Sequence, residues 1–391
     1  MTTETQDPDP TPRVWPPARF RSPLLARRGA VPAAGPDDGV AWHYGDPTAE
    51  QRALVQGGAV VDLSHYGVVR VSGPDRLTWL NSITSQDLSE LPPHTSTETL
   101  VLSPNGHVEH AAGVVDDGEN TWLVTDGFDA PALAAWLDRM RFTLRVEVAD
   151  ESADWAVVGE PIDSEGAPGE PVTWRDPWPD VAPGGTRYGP PNEVHPGRDR
   201  PWRLVLVPRA SLADAVSARE AAGWRLAGTW ASEALRIEAW RPRMTDVDHR
   251  TIPHELDWLR TAVHLHKGCY RGQETVARVH NLGRPPRRLV MLLLDGSGHL
   301  VPAVGAAVRL QGTPGRVVGE VTSVARHHEL GPVALALVKR STPDDVELVV
   351  DCDGGPIAAA QEVVVTGEGL SVDRPPQHGP VARGLGRQLS L

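Results

Sequence analysis

The segment Lys267-Gly268-Cys269-Tyr270-Arg271-Gly272-Gln273-Glu274 carries the densest chemistry in the chain. Its cysteine is one of two, the other being Cys352. Glycines bracket Cys269 and Tyr270, so the backbone there can turn sharply and come close to a ligand. Lys267 and Arg271 set positive charge beside the thiol, and Gln273-Glu274 opens a helical pattern. Such a setting suits a reactive cysteine. Cys269 therefore reads as a nucleophile, a metal or cluster ligand, or a redox switch. The competing reading is a small buried hydrophobe. Lys267 reads as a partner in that chemistry or as a solvated charge. Tyr270 could stack on a flat ligand, or pack with its hydroxyl satisfied.

Glu238 is the second candidate. A helix over about 230–240 puts Ala231, Leu235 and Glu238 on one stripe, with Trp230, Ala234 and Ile237 on the next. A carboxylate on such an apolar surface needs donors. Arg236, Arg241 or a backbone amide could supply them, and so could a ligand. Glu255, shortly after Pro253, reads as a ligand contact or as a charge at a helix start. His107 and His110, three apart with no third ligand in view, read as a surface turn rather than a metal site. No Walker A loop and no glycine fingerprint after a strand supports nucleotide chemistry.

The elements that must position these residues follow from periodicity. Ala59–Leu63, Val68–Val71, Leu100–Leu102, Val108–Val115, Thr121–Thr125, Trp155–Val158 and Arg203–Val207 read as strands. Helices are expected after Gly73-Pro74-Asp75, after Pro131, after Ser211 and over 230–240. Beyond Pro285-Pro286, short strands at even spacing suggest an antiparallel barrel over 287–370. Residues 1–40 and 371–391 read as tails, and the Pro/Gly-rich stretch 160–200 as a long surface insertion.

The 391 residues carry a net charge of -13. That balance argues against non-specific nucleic-acid binding, and a tRNA partner finds no support in it. Arg284, Arg287 and Arg288 could still form a local basic patch. Two distant cysteines make no disulfide framework. With no apolar signal or spanning run, a cytoplasmic monomer is expected, without a membrane partner.

The motif at 267–274 resembles the signature of the folate-binding, glycine-cleavage T-protein-like superfamily, in its YgfZ branch. Val61-Asp62-Leu63-Ser64-His65-Tyr66-Gly67 with Val71-Ser72-Gly73-Pro74-Asp75 is similar to the superfamily's N-terminal signature. Ala234-Leu235-Arg236-Ile237-Glu238-Ala239 resembles its central helix, and Gly319-Glu320-Val321-Thr322-Ser323 the start of its barrel. The resemblance covers about 45–365. It implies an α+β fold: two interlocked folate-binding subdomains over 41–286, then a small antiparallel β-barrel. It implies tetrahydrofolate, or a derivative, in a central channel, with Glu238 holding the pterin's two coplanar donors. Tyr270, Gln273 and Glu255 join the cofactor site, and Cys269 and Lys267 carry the chemistry at its mouth. The branch implies an accessory role in iron–sulfur cluster assembly or repair, with iron–sulfur client or assembly proteins as partners. The alternative is a folate-dependent one-carbon transferase of the aminomethyltransferase type, or a modifier of tRNA or protein. One departure bears on that choice. T-proteins carry an acidic pair after a glycine-rich turn, whereas Asn105-Gly106-His107-Val108-Glu109-His110-Ala111 offers Glu109 alone.

Overall fold

The structure is a computed structural model that describes residues 14–312 and 316–374. Two five-stranded sheets and one barrel organise it. The first sheet runs, in spatial order, Thr173–Arg175, Arg203–Pro208, Trp155–Glu160, Ala59–Asp62 and Arg225–Ala227. Its last pair is parallel and the others are antiparallel. The second sheet is antiparallel throughout: Ser96–Leu102, Val108–Asp116, Asn120–Thr125, Gly67–Ser72, Glu147–Asp150. The chain leaves the first sheet after Asp62, builds the whole second sheet, and re-enters the first at Trp155. One subdomain is thus inserted into the other, as the α+β reading requires.

Helices α1 Pro47–Val55, α2 Arg76–Ile83, α3 Ala130–Met140, α4 Leu212–Ala221, α5 Thr229–Glu238 and α6 Gln273–Asn281 cover or join these sheets. Helix α3 sets Leu133, Trp136 and Leu137, at i, i+3 and i+4, against Val69, Val71 and Val114 of the second sheet. Helix α5 is wedged. Ala231 and Leu235 enter the first sheet's core, while Ala234 and Ile237 enter the core shared with the barrel.

The barrel closes through six antiparallel strands, from Arg287–Leu294 to Ile357–Val363. Its first strand shows how it docks. Val290 and Leu292 point into the barrel, and Leu289 and Met291 point out, into the core with Tyr188 and Trp258. Strand alternation therefore buries both faces, which is why Leu289–Leu294 reads as an unbroken apolar run. Each such side chain contributes about 1.5–3 kcal/mol.

Four expectations need correction. Residues 14–40 are not a tail. Leu24 is buried among Val60, Val158 and Leu212, and the Ser22 hydroxyl donates to Asp62. Short 3-10 turns and single anchors hold this segment, so it lacks the periodicity that would have marked it. Residues 1–13 lie outside the described residues. The stretch 160–200 is not a surface insertion either, since Trp174, Trp178, Tyr188 and His195 are buried. Arg260, fully buried, donates to the carbonyls of Pro179 and Pro190 and to the Asn192 side chain. One guanidinium thus replaces the ladder bonds that a Pro-rich segment cannot make. Finally, Arg287 and Arg288 form no basic patch. Arg288 is fully buried and Arg287 partly so, and both are paired, Arg287 with Asp248 and Glu255, and Arg288 with Asp344. The second tail begins later than expected, because Thr186 donates to Asp373 and Ser371 is buried. Residues 375–391 lie outside the described residues. No helix among the described residues is long and apolar enough to cross a membrane.

Candidate functional site

The motif at 267–274 lies against the turn at 103–106. Gly272, with φ 83°, leads into α6. A side chain there would meet the Ser103 carbonyl at 2.6 Å and the Gly106 backbone at 3.1 Å. Only glycine lets these two turns touch backbone to backbone. Lys267 donates to the carbonyls of Asn81, Thr84 (2.8 Å) and Gln86 (2.6 Å), at the C-terminal end of α2. Burial pulls its pKa down to about 8, while three carbonyl acceptors favour the charged form. All three ammonium donors are engaged, so the geometry gives Lys267 a helix-capping role in place of the expected catalytic one. Tyr270 is buried in the core shared with the barrel, its ring 5.3 Å from Lys267 Nζ. It packs rather than presents a stacking face. Cys269 is exposed between them. Gln273, half-buried, is the first residue of α6, and its backbone amide donates to Tyr270.

Arg271 reaches across to Glu109, at 2.6 Å. Glu109 is the extra residue of a β-bulge: Val108 pairs with Leu102 and His110 with Val101, leaving Glu109 opposite nothing. The bulge sorts its neighbours. Ala111 and Gly113 line the cavity between the two sheets. His110 faces the other way and binds the buried Asp129 at 2.7 Å, so it is no surface turn. The strand thus turns no carboxylate into the cavity, and its nearest acid is held by an arginine.

That cavity, about 100 Å³, is walled by tryptophans that stand over glycines of opposite sheets. Trp174 lies over Gly113 and Trp202 over Gly159, and a side chain at either glycine would collide with the indole. Trp258 and Tyr66 complete the flat surfaces. The polar lining is a lattice of ion pairs. Arg241 holds Asp176 and Glu98, Arg243 holds Asp126 and Asp37, and Arg236 holds Glu233 and Asp246. Burial raises the Asp37 pKa, but Arg243 and His65 more than offset it and hold Asp37 well below the usual carboxylate range. Sequence reading names only Arg236 and Arg241 among these residues, as donors to Glu238, and both pair with other carboxylates instead. The available signals were isolated glycines within strands and the run Arg241-Pro242-Arg243 directly after α5.

Glu238 does not face this cavity. Arg236 does, and two residues on a helix are about 200° apart. Glu238 lies one turn beyond Ala234, on the barrel side, with 42% of its side chain exposed. His327 Nε2 of the barrel meets its Oε2 at 3.2 Å. Glu255 is also reassigned. Fully buried, it accepts from the Ile252 amide and, through both oxygens, from Arg287. It caps a 3-10 turn and ties it to the barrel, leaving no room for a ligand contact. Among the described residues, no group of three His, Cys, Asp or Glu side chains is placed to hold a metal.

Comparison with known proteins fits this architecture. Residues 38–159 match the GCVT N-terminal domain, and residues 287–365 match the glycine cleavage T-protein C-terminal barrel domain. An aminomethyltransferase of Deinococcus deserti is 29% identical over 361 residues, which are 85% of this chain and 93% of that protein. The mitochondrial iron–sulfur cluster assembly factor IBA57 homolog of Mycosarcoma maydis is 26% identical over 255 residues, covering 61% of this chain and 58% of that protein. The glycine cleavage system aminomethyltransferase T from Bartonella henselae shares the fold, with a TM-score of 0.70 over 88% of this chain and 94% of its own, at 18% identity.

Proposed function

We propose, since the chain belongs to the glycine cleavage T-protein (aminomethyltransferase) superfamily, that it is a tetrahydrofolate-binding accessory protein of the YgfZ type, acting in iron–sulfur cluster assembly or repair. The observation that carries this reading is the fate of Glu109. Aminomethyl transfer needs a base near the reactive nitrogens of the folate. Here the strand that would present it offers Ala111 and Gly113 to the cavity, and Glu109 is paired with Arg271. What remains is a folate-type binding frame and an exposed thiol two residues before the arginine that holds Glu109.

Two observations bear on the fit of a folate. Among the described residues Glu238 is engaged through Oε2 alone, on the barrel side of α5, and separately Tyr66, Trp174, Trp202 and Trp258 supply flat apolar walls to the cavity between the sheets. Bound tetrahydrofolate would supply its reduced ring nitrogens as carriers of a one-carbon unit. In this reading Glu238 orients the pterin on the barrel side of α5, and Cys269 meets a partner's thiol, persulfide or cluster. A single cysteine holds no cluster alone, so any cluster belongs to the partner or is in passage.

The second reading is a folate-dependent one-carbon transferase. Its support is the aminomethyltransferase that this chain spans over 93% of its length. Gene deletion separates the two. Loss of several iron–sulfur enzyme activities with glycine cleavage intact supports the accessory role, and the reverse pattern selects the transferase.

A further inference from the structure

A second cavity, of about 270 Å³, lies under the segment 16–38 at one end of the second sheet, where His65-Tyr66, Gly127-Phe128 and Ser152 flank the strands. Tyr66 is the wall it shares with the cavity between the sheets. Two glycines let the backbones close around it. A side chain at Gly39, where φ is 98°, would collide with the Phe20 carbonyl, and one at Gly127 with the His65 carbonyl. Arg209 then fixes Phe20. Its guanidinium lies 4.5 Å from the ring centroid while it donates to the carbonyls of Ser64, Ser152 and Trp155. Half of the lining comes from residues 16–36, ahead of the segment 38–159 that matches the family. The cavity therefore depends on residues outside the matched domain.

The lining is mostly flat and apolar, with the rings of Phe20, Tyr66 and Phe128 and four prolines. Its charged groups are not equally matched. Arg19 pairs with Asp150 at 2.6 Å, and His65 faces Asp37 at 3.1 Å. Asp38 has no such partner. Half-buried, it accepts from the Ala18 amide through Oδ2 at 3.0 Å, and among the described residues neither oxygen meets a cation. A carboxylate beside apolar walls and without a counter-ion calls for a cationic donor. Sites for drug-sized molecules hold about 300–1,000 Å³, so this one suits a compact ligand. We propose that the cavity is a binding site for a small aromatic amine, whose ammonium donates to Asp38 while its ring lies among Phe20, Tyr66 and Phe128. The ammonium gains a charge-assisted hydrogen bond, and the ring leaves water. The site stands apart from the folate reading and does not require it.

The test is calorimetric titration of the full chain with 2-phenylethylamine, with 2-phenylethanol, which carries a hydroxyl in place of the ammonium, and with phenylacetate. At neutral pH the amine should bind about tenfold more tightly than the alcohol, and the acid should bind least. Asp38→Asn should weaken the amine by about tenfold and leave the alcohol unchanged. Asparagine still offers the Ala18 amide an acceptor, so this variant should melt with the wild type. Phe128→Leu is the second variant, and should weaken amine and alcohol alike. Equal affinity for amine and alcohol overturns the site. So does an amine that is indifferent to Asp38→Asn, or one that fails to bind the wild type at millimolar concentration. Tetrahydrofolate, titrated into wild type and Asp38→Asn, should not distinguish them, so the amine site and the folate reading can each fail alone.

Discussion

His327 and Glu238 join the barrel to α5 through a hydrogen bond whose direction is set. His327 Nδ1 accepts from the backbone amides of Glu329 (3.2 Å) and Leu330 (3.1 Å). The neutral ring therefore carries its proton on Nε2 and donates it to Glu238 Oε2. Among the described residues, one oxygen of Glu238 is held and the other has no partner. The barrel thus orients a carboxylate that the helix alone would leave mobile.

If Glu238 receives a pterin, Glu238→Gln should weaken tetrahydrofolate binding by roughly 1–3 kcal/mol, the scale of a lost charged hydrogen bond. His327→Phe should weaken it by less, since the carboxylate survives unanchored. Calorimetry measures both. Wild-type affinity in Glu238→Gln would remove Glu238 from the ligand site.

Glu255 and Arg287 make a different kind of prediction. Their pair is buried and cross-braced by Asp248 and Thr251. Removing one partner strands the other, so Glu255→Ala should destabilise the fold by about 3–5 kcal/mol. Urea unfolding followed by tryptophan fluorescence reads this directly. The mutant's ligand affinity, measured below its transition, should match the wild type. A stable mutant with lost affinity would return Glu255 to the ligand site.

Two fully buried histidines predict the acid limb of stability. Burial depresses His195 and His254 from 6.5 to about 3. His195 Nδ1 accepts from the Gly197 amide, and His254 Nε2 donates to the Val276 carbonyl. Each is held neutral in the fold and takes up its proton more readily once unfolded. Their contribution is therefore complete above about pH 6.5 and declines as the pH falls towards 3. The slope is at most about 1.4 kcal/mol per pH unit for each. Denaturant midpoints between pH 7.5 and 5 should fall, and His254→Gln should fall less steeply. A flat profile over that range would mean that neither ring is held neutral.

The strands and helices that alternate or repeat cleanly were legible in the chain. So was the barrel, because even strand spacing encodes it, while the interlocking of two subdomains followed from the resemblance in motif order. What escaped is held by contacts between distant residues. Lys267 caps α2 from more than 180 positions away, and Arg260 pins the Pro-rich stretch. Neither leaves a local pattern. The cavity walls left a fainter trace. Thirteen tryptophans against three phenylalanines is an unusual balance, and the two that wall the cavity, Trp174 and Trp202, each need a glycine beneath them. The stripe of Ala231 and Leu235 sets Glu238 on an apolar helix surface without saying which core that surface meets; counted from Ala234, one turn back, it falls on the barrel face.

The last prediction concerns the two thiols. Cys269 is exposed on the turn before α6, between Gly268 and the buried Tyr270. Cys352 is half-buried against the barrel core, and its sulfur lies 3.3 Å from the Val301 carbonyl. Access alone separates them, and the charges differ too: Lys267 and Arg271 flank Cys269, whereas Asp351 and Asp353 flank Cys352. Thiolate attack is favoured in electropositive, accessible settings. Brief alkylation of the folded protein at neutral pH should therefore modify Cys269 first, as peptide mass spectrometry reports. Cys269→Ala should melt with the wild type, because an exposed side chain contributes little packing. In cells the same variant should lower iron–sulfur enzyme activity while leaving the protein's abundance unchanged. Labelling at Cys352 first, or none at Cys269 before unfolding, would make the motif cysteine a bystander. The motif would then owe its role to Gly272, which lets the two turns meet, and to Lys267, which caps the helix beside them.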